Sequence, residues 1–199
     1  NGKRALCLGG AKNHMIVVPD ADQDSTAKGL LASSMGSAGQ RCMAASVAVG
    51  VANVNPIIDQ LVEEAKNYKL GVDMGSIVSK AALERITNYI DEAEKMGAKI
   101  LIDGRNSIPP EGYENGYWLG ATILDHVDPD WPSAKEEIFG PVLTIIRTDT
   151  LEDAMKIENG NQYGNAAAVF TTSGQVAKTI SESASAGMIG INIGVPVPR

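Results

Sequence analysis

Short apolar runs alternate along this chain with stretches whose apolar residues recur at helical spacing, and that alternation leaves few folds open. Residues 15–18, closed by Pro19 and Asp20, read as a buried strand. From Asp22 the spacing turns helical, with Ala27, Leu30, Leu31 and Ser34 on one side, until the glycines at 36 and 39. Residues 46–51 return to strand, and their weak alternation suits cover on both faces. Asn55 and Pro56 open the next helix as N-cap and first-turn proline, with Ile58, Leu61, Val62 and Ala65 as its stripe. Ser79 caps another, where Leu83, Ile86, Ile90 and Ala93 recur and Gly97 makes the stop. Residues 99–102, 117–124, 142–147, 166–170 and 188–193 are expected to be extended. Thr150 opens one intervening helix with Asp153 as the acidic member of a capping box, and residues 173–186 form another. The order predicts one α/β layered domain with a largely parallel sheet.

Bulk numbers exclude whole classes of partner. Of 199 residues, 44% are hydrophobic and 21% charged, so a buried core is within reach. A formal charge of −7 argues against a nucleic-acid surface, which needs a basic patch. No apolar run approaches the roughly 20 residues that span a bilayer, and the opening residues do not read as a secretion leader. Two cysteines and two histidines make neither a disulfide framework nor a metal pattern. A reducing, intracellular compartment is expected. The start at Asn-Gly-Lys-Arg and the stop at Val-Pro-Val-Pro-Arg suggest a piece of a longer protein.

Chemistry concentrates at Gly39-Gln40-Arg41-Cys42-Met43-Ala44. A thiol beside a cation after a glycine-marked turn suits a nucleophile, because the cation favours thiolate over the free pKa of roughly 8.5. The same cysteine also suits a small buried packing position. Other constellations are weaker. Leu8-Gly9-Gly10 after Cys7 reads as a turn without a dinucleotide fingerprint. Glu136 and Glu137 are adjacent in an extended segment, so at most one of them faces a site. Asn13, Asn192 and the glycines at 190 and 194 are candidates for lining a site on loops at strand ends.

Together, Leu8-Gly9-Gly10 with Lys12-Asn13, Gly39-Gln40-Arg41-Cys42, Glu136-Glu137-Ile138-Phe139-Gly140-Pro141-Val142 and residues 161–170 resemble the aldehyde dehydrogenase superfamily, in order and separation as well as in letters. The resemblance implies a three-layer catalytic domain with a largely parallel sheet flanked by helices. It would be entered after an N-terminal NAD-binding domain and cut before a C-terminal oligomerisation strand. It implies Cys42 as the nucleophile that attacks an aldehyde, with its backbone N–H as one oxyanion donor. Glu137, Phe139 and Leu8 would be contacts of an NAD cofactor, and the full-length protein a homodimer or homotetramer. It would be cytoplasmic, or in the mitochondrial matrix of a eukaryote. One position departs from the pattern. Where hydrolytic members carry a glutamate that activates water, this chain has Cys7, which lacks a carboxylate's basicity and its two acceptor oxygens. Another nucleophile, coenzyme A, is then expected to take the acyl group. That departure, with residues 10–15 and 39–44, resembles the CoA-acylating branch acting on methylmalonate and malonate semialdehydes, in which Arg41 would bind the substrate carboxylate. A hydrolytic semialdehyde dehydrogenase, a thiol sensor built on Cys7 and Cys42, and an oligomerisation scaffold are the alternatives.

Overall fold

A computed structural model describes residues 2–5 and 9–195. The expectations for Cys7 and Leu8 lie outside the described residues. Strand β1 (Asn13–Val17) is buried throughout and leads to helix α1 (Gln23–Met35), whose N-cap Asp22 accepts a bond from the Ser25 N–H. A tight turn, Gly36–Gly39, separates α1 from β2 (Ala45–Val51). Helices α2 (Asn55–Lys66) and α3 (Lys80–Met96) follow, then β3 (Lys99–Ile102) and β4 (Thr122–Asp125). A short helix α4 (Pro132–Lys135) precedes β5 (Val142–Thr148), α5 (Leu151–Asn159) and β6 (Ala166–Phe170). Helix α6 (Gly174–Ser183) and β7 (Met188–Ile191) complete the described elements.

The strands form one sheet in the order β3-β4-β5-β2-β1-β6-β7. All neighbours run parallel except β3 and β4. Every residue of β1 and β6 is buried, so helices cover both faces of the sheet centre. This is the expected α/β three-layer arrangement. The core runs along the sheet through Met15, Ile16, Val49, Ile145 and Val169, and takes in Leu30 and Leu31 of α1, Leu61 of α2 and Ile86 and Ile90 of α3.

Several local expectations are met by the chemistry that suggested them. The Ser79 hydroxyl caps α3, and Gly97 ends it in the left-handed conformation, φ 109°. Thr150 caps α5 by accepting from the Asp153 N–H, but the Asp153 carboxylate accepts from the Thr150 hydroxyl rather than from a backbone N–H, so the capping box is half made. Asn55 departs from its expected role. It lies inside α2 after the N-cap Val54, and its side-chain oxygen accepts instead from Arg147 at the end of β5. Helix α6 stops at Ser183 rather than residue 186, and β7 ends at Ile191 rather than 193. Among the described residues no helix is long and apolar enough to cross a membrane.

Candidate active site

Parallel strands share a direction, so everything that enters them lies along one edge of the sheet. Residues 9–12 enter β1, residues 39–44 enter β2, residues 136–141 enter β5 and residues 161–165 enter β6. All these segments therefore meet at the amino-terminal edge. Asn192 and Gly194 follow β7 and lie beyond its carboxyl end. Grouping them with Asn13 is thus corrected. Asn13 stands at the amino edge, whereas the Asn192 side chain accepts from the Thr171 N–H just past the end of β6.

The cysteine loop is set by backbone strain. Ser37 and Ala38 both have φ of 52°, and Gly39 has φ of 65°. Two of these three left-handed residues carry a Cβ, which costs on the order of 1–2 kcal/mol each. Gly39 is the position that tolerates no side chain at all. A Cβ there would lie 2.0 Å from the Gly140 carbonyl oxygen, so the loop packs by bare backbone onto the Glu137–Gly140 segment. Gln40 then straps the loop outward, donating to the Ser76 carbonyl at 3.1 Å and accepting from the Val78 N–H at 2.8 Å.

Cys42 emerges from this loop exposed. The buried-packing alternative does not hold. Its carbonyl oxygen accepts from two amides, Asn13 Nδ2 at 2.9 Å and Asn165 Nδ2 at 3.0 Å. Asn13 is fully engaged, since Nδ2 also donates to the Ala44 carbonyl and Oδ1 accepts from the Ala166 N–H. A single buried amide thus ties the starts of β1, β2 and β6 together. Arg41 turns away from the loop. Its Nη2 donates to the carbonyls of Ala32 and Ser33 in the last turn of α1, at 3.0 and 3.1 Å, a cation at the negative end of a helix. Arg41 also lines a cavity of about 410 Å³ with Lys28, Ser33, Asn192 and Gly194. Its Nε is buried without an acceptor among the described residues.

The two glutamates point apart, as adjacent extended residues must. Glu137 Oε1 accepts from the Ala11 N–H at 3.2 Å, while Glu136 Oε2 accepts from the Tyr89 hydroxyl at 2.5 Å. Burial, followed by that hydrogen bond, pushes the Tyr89 phenol up to about 12. Arg85, one turn before Tyr89 on α3, donates to the carbonyls of Glu137 and Ile138. Phe139 is held at φ 54° with its ring partly exposed. Glu137 thus remains an acceptor beside an exposed aromatic ring. Strained residues of this kind cluster where ligands are gripped.

Several residues of the site had no signature in the sequence. Arg85 and Tyr89 lie more than forty residues before the segment they hold, and nothing in the α3 pattern distinguishes them from a solvated helix face. Asn165 lies inside the 161–170 motif, but nothing in that motif singles it out from its neighbours. Lys12 did leave a trace, as a charge directly ahead of a buried apolar run. Its side chain is buried, its Nζ has no partner among the described residues, and burial pushes its pKa down to about 7 against the pull of Glu137 and Glu136.

Residues 1–198 match the model of the aldehyde dehydrogenase family. The chain is 46% identical over 199 residues to the acylating, mitochondrial methylmalonate-semialdehyde/malonate-semialdehyde dehydrogenase of Rattus norvegicus, covering 97% of this chain and 37% of that protein. It is 42% identical to the malonate-semialdehyde dehydrogenase of Pseudomonas aeruginosa, over 99% of this chain and 41% of that one. Among solved structures, a methylmalonate-semialdehyde dehydrogenase from Oceanimonas doudoroffii superposes with a TM-score of 0.92 at 42% identity, covering 96% of this chain and 41% of the other. A provisionally named methylmalonate-semialdehyde dehydrogenase from Sinorhizobium meliloti, complexed with NAD, gives 0.94 at 44% identity, over 100% and 42%. The chain thus spans about two fifths of the length of these relatives.

Proposed function

We propose, from the premise that this chain belongs to the aldehyde dehydrogenase family, that it is the catalytic domain of an NAD-dependent, CoA-acylating dehydrogenase of methylmalonate or malonate semialdehyde. The observation that carries this reading is the exposed Cys42 on a strained loop packed against the Glu137–Gly140 segment.

Cys42 Sγ adds to the aldehyde carbon, forming a C–S bond and a thiohemiacetal whose oxygen is stabilised by the Cys42 N–H. Glu137 and Phe139 are the residues of this chain that would hold the nicotinamide end of NAD, the carboxylate on the ribose hydroxyls and the ring beside the base. NAD supplies the hydride acceptor, and oxidation leaves a thioester on Cys42. Attack by the CoA thiol then breaks the C–S bond to the enzyme and returns Cys42 as a thiol. The resemblance gives Arg41 the substrate carboxylate; in this structure its guanidinium is turned to the end of α1 and its Nε is buried, so that role requires the side chain to swing back toward Cys42. The Cys7 position disfavours water as the acyl acceptor. Names of the rat and Pseudomonas relatives support the semialdehyde, and "acylating" in the rat name supports CoA. An NAD-binding domain before this one, an oligomerisation strand after it, an assembly of two or four copies, and a location in the cytoplasm or the mitochondrial matrix belong to the same reading.

Product analysis of the complete enzyme tests it. Malonate semialdehyde and NAD should give malonyl-derived acyl-CoA only when CoA is present, and Cys42→Ala should lower turnover by at least about a thousandfold. Free acid formed at an undiminished rate without CoA would favour the hydrolytic alternative instead.

A further inference from the structure

A backbone carbonyl has two lone pairs, and a cysteine's own carbonyl lies within easy reach of its thiol. At Cys42 both lone pairs are occupied, by amides on two different segments, Asn13 Nδ2 and Asn165 Nδ2. The two donors differ in kind. Asn13 is buried at 1% exposure, and its amide also serves Ala44 and Ala166, so it belongs to the joint between strands. Asn165 is partly exposed and makes no further side-chain bond among the described residues. It precedes β6, whose first N–H is already tied to Asn13, so its backbone is fixed without help from its own side chain. The fold therefore does not need the Asn165 amide. Only the Cys42 peptide does.

We propose that Asn165 is a positioning residue for the nucleophile. By filling the second lone pair of the Cys42 carbonyl, it locks the plane of the peptide that follows Cys42 and leaves the thiol no acceptor on its own backbone. The S–H is then kept from folding back and Sγ stays turned outward. With Asn165 removed, the carbonyl becomes an acceptor for the Cys42 S–H, and a fraction of the enzyme holds its sulfur inward, protonated and unreactive. This inference rests on the reading of Cys42 as the nucleophile.

Three readouts in the complete enzyme separate that reading from this one. Loss of turnover in Cys42→Ser tests the nucleophile alone. Asn165→Leu tests the positioning, because it keeps the size and removes the donor. It is expected to lower both kcat and the rate of Cys42 alkylation by iodoacetamide about five- to thirtyfold, the range for one hydrogen bond of 1–2 kcal/mol. Melting temperature and the KM values for NAD and aldehyde should stay close to the parent's. Trypsin separates the label sites, since Cys42 heads the peptide 42–66 and Cys7 falls in the peptide 5–12. Asn165→Asp, equal in shape but unable to donate, should be at least as impaired, and it decides the matter alone if Asn165→Leu does not fold. Parent-like alkylation in Asn165→Asp, or a fall in turnover without any fall in alkylation, overturns the proposal. If Cys42→Ser stays active, the nucleophile reading fails first.

Discussion

Lys12 places a titratable amine where water does not reach, and it lies between two residues that serve the site through other atoms. The Ala11 N–H holds Glu137, and the Asn13 amide holds Cys42. Its pKa of about 7 in the fold, against 10.5 when unfolded, has a definite sign. Below pH 7 both states carry the proton, and the folded one bears the full cost of a buried charge. Between about 7 and 10.5 the unfolded chain keeps a proton that the folded one has shed, so stability rises with pH, by up to about 1.4 kcal/mol per unit. Lys12→Met should therefore be more stable than the parent at pH 6, and the gap should close by pH 10. Urea unfolding at several pH values checks this, and parallel curves for the two proteins would refute it. Cys42 and Glu137 are legible in the sequence because each stands out by its own side-chain chemistry. Arg85 is not, and Asn165 is not singled out within its motif, because both act on backbone carbonyls that any residue supplies.

Whole elements were more legible than the joints between them. Strand β6 shows as an unbroken apolar run, and β1 through its apolar second half, because both faces are covered; α3 shows because Ser79 and Gly97 mark its ends. Helix α4 is four residues long, too short for any periodicity. The turn Gly36–Gly39 is marked by its glycines, but its left-handed course is hidden for a different reason. Two of its left-handed positions are Ser37 and Ala38, residues that do not advertise positive φ. What holds that turn is the seat of Gly39 against Gly140. Gly39→Ala is expected to destabilise the protein by about 2–4 kcal/mol, since strained backbone and a backbone clash act together. Surviving protein should lose turnover as the loop shifts. Thermal melting and a turnover assay report the two effects, and a variant normal in both would show that the contact is slack.

At the scale of the molecule, the parallel sheet does the gathering. Four segments far apart in the chain arrive at one edge because their strands run the same way. At the far end of that sheet, among the described residues, β7 is an outer strand with Met188 and Ile191 exposed. On the proposed reading, Glu137 and Phe139 are the cofactor contacts that this chain would offer among its described residues. The chain by itself is therefore expected to form no NADH from a semialdehyde, although alkylation at Cys42 should persist. NADH absorbance appearing with the isolated 199-residue chain would contradict this. The meeting of Gly39 with Gly140 has one more consequence, for how such a chain can change over generations. A contact between two side chains can drift, because a loss on one side is made good by a gain on the other. Here neither side has anything to exchange, so no second substitution rescues the first. The seam between the Cys42 loop and the Glu137–Gly140 segment then leaves no trace of paired change, and a search for covarying positions would pass over it.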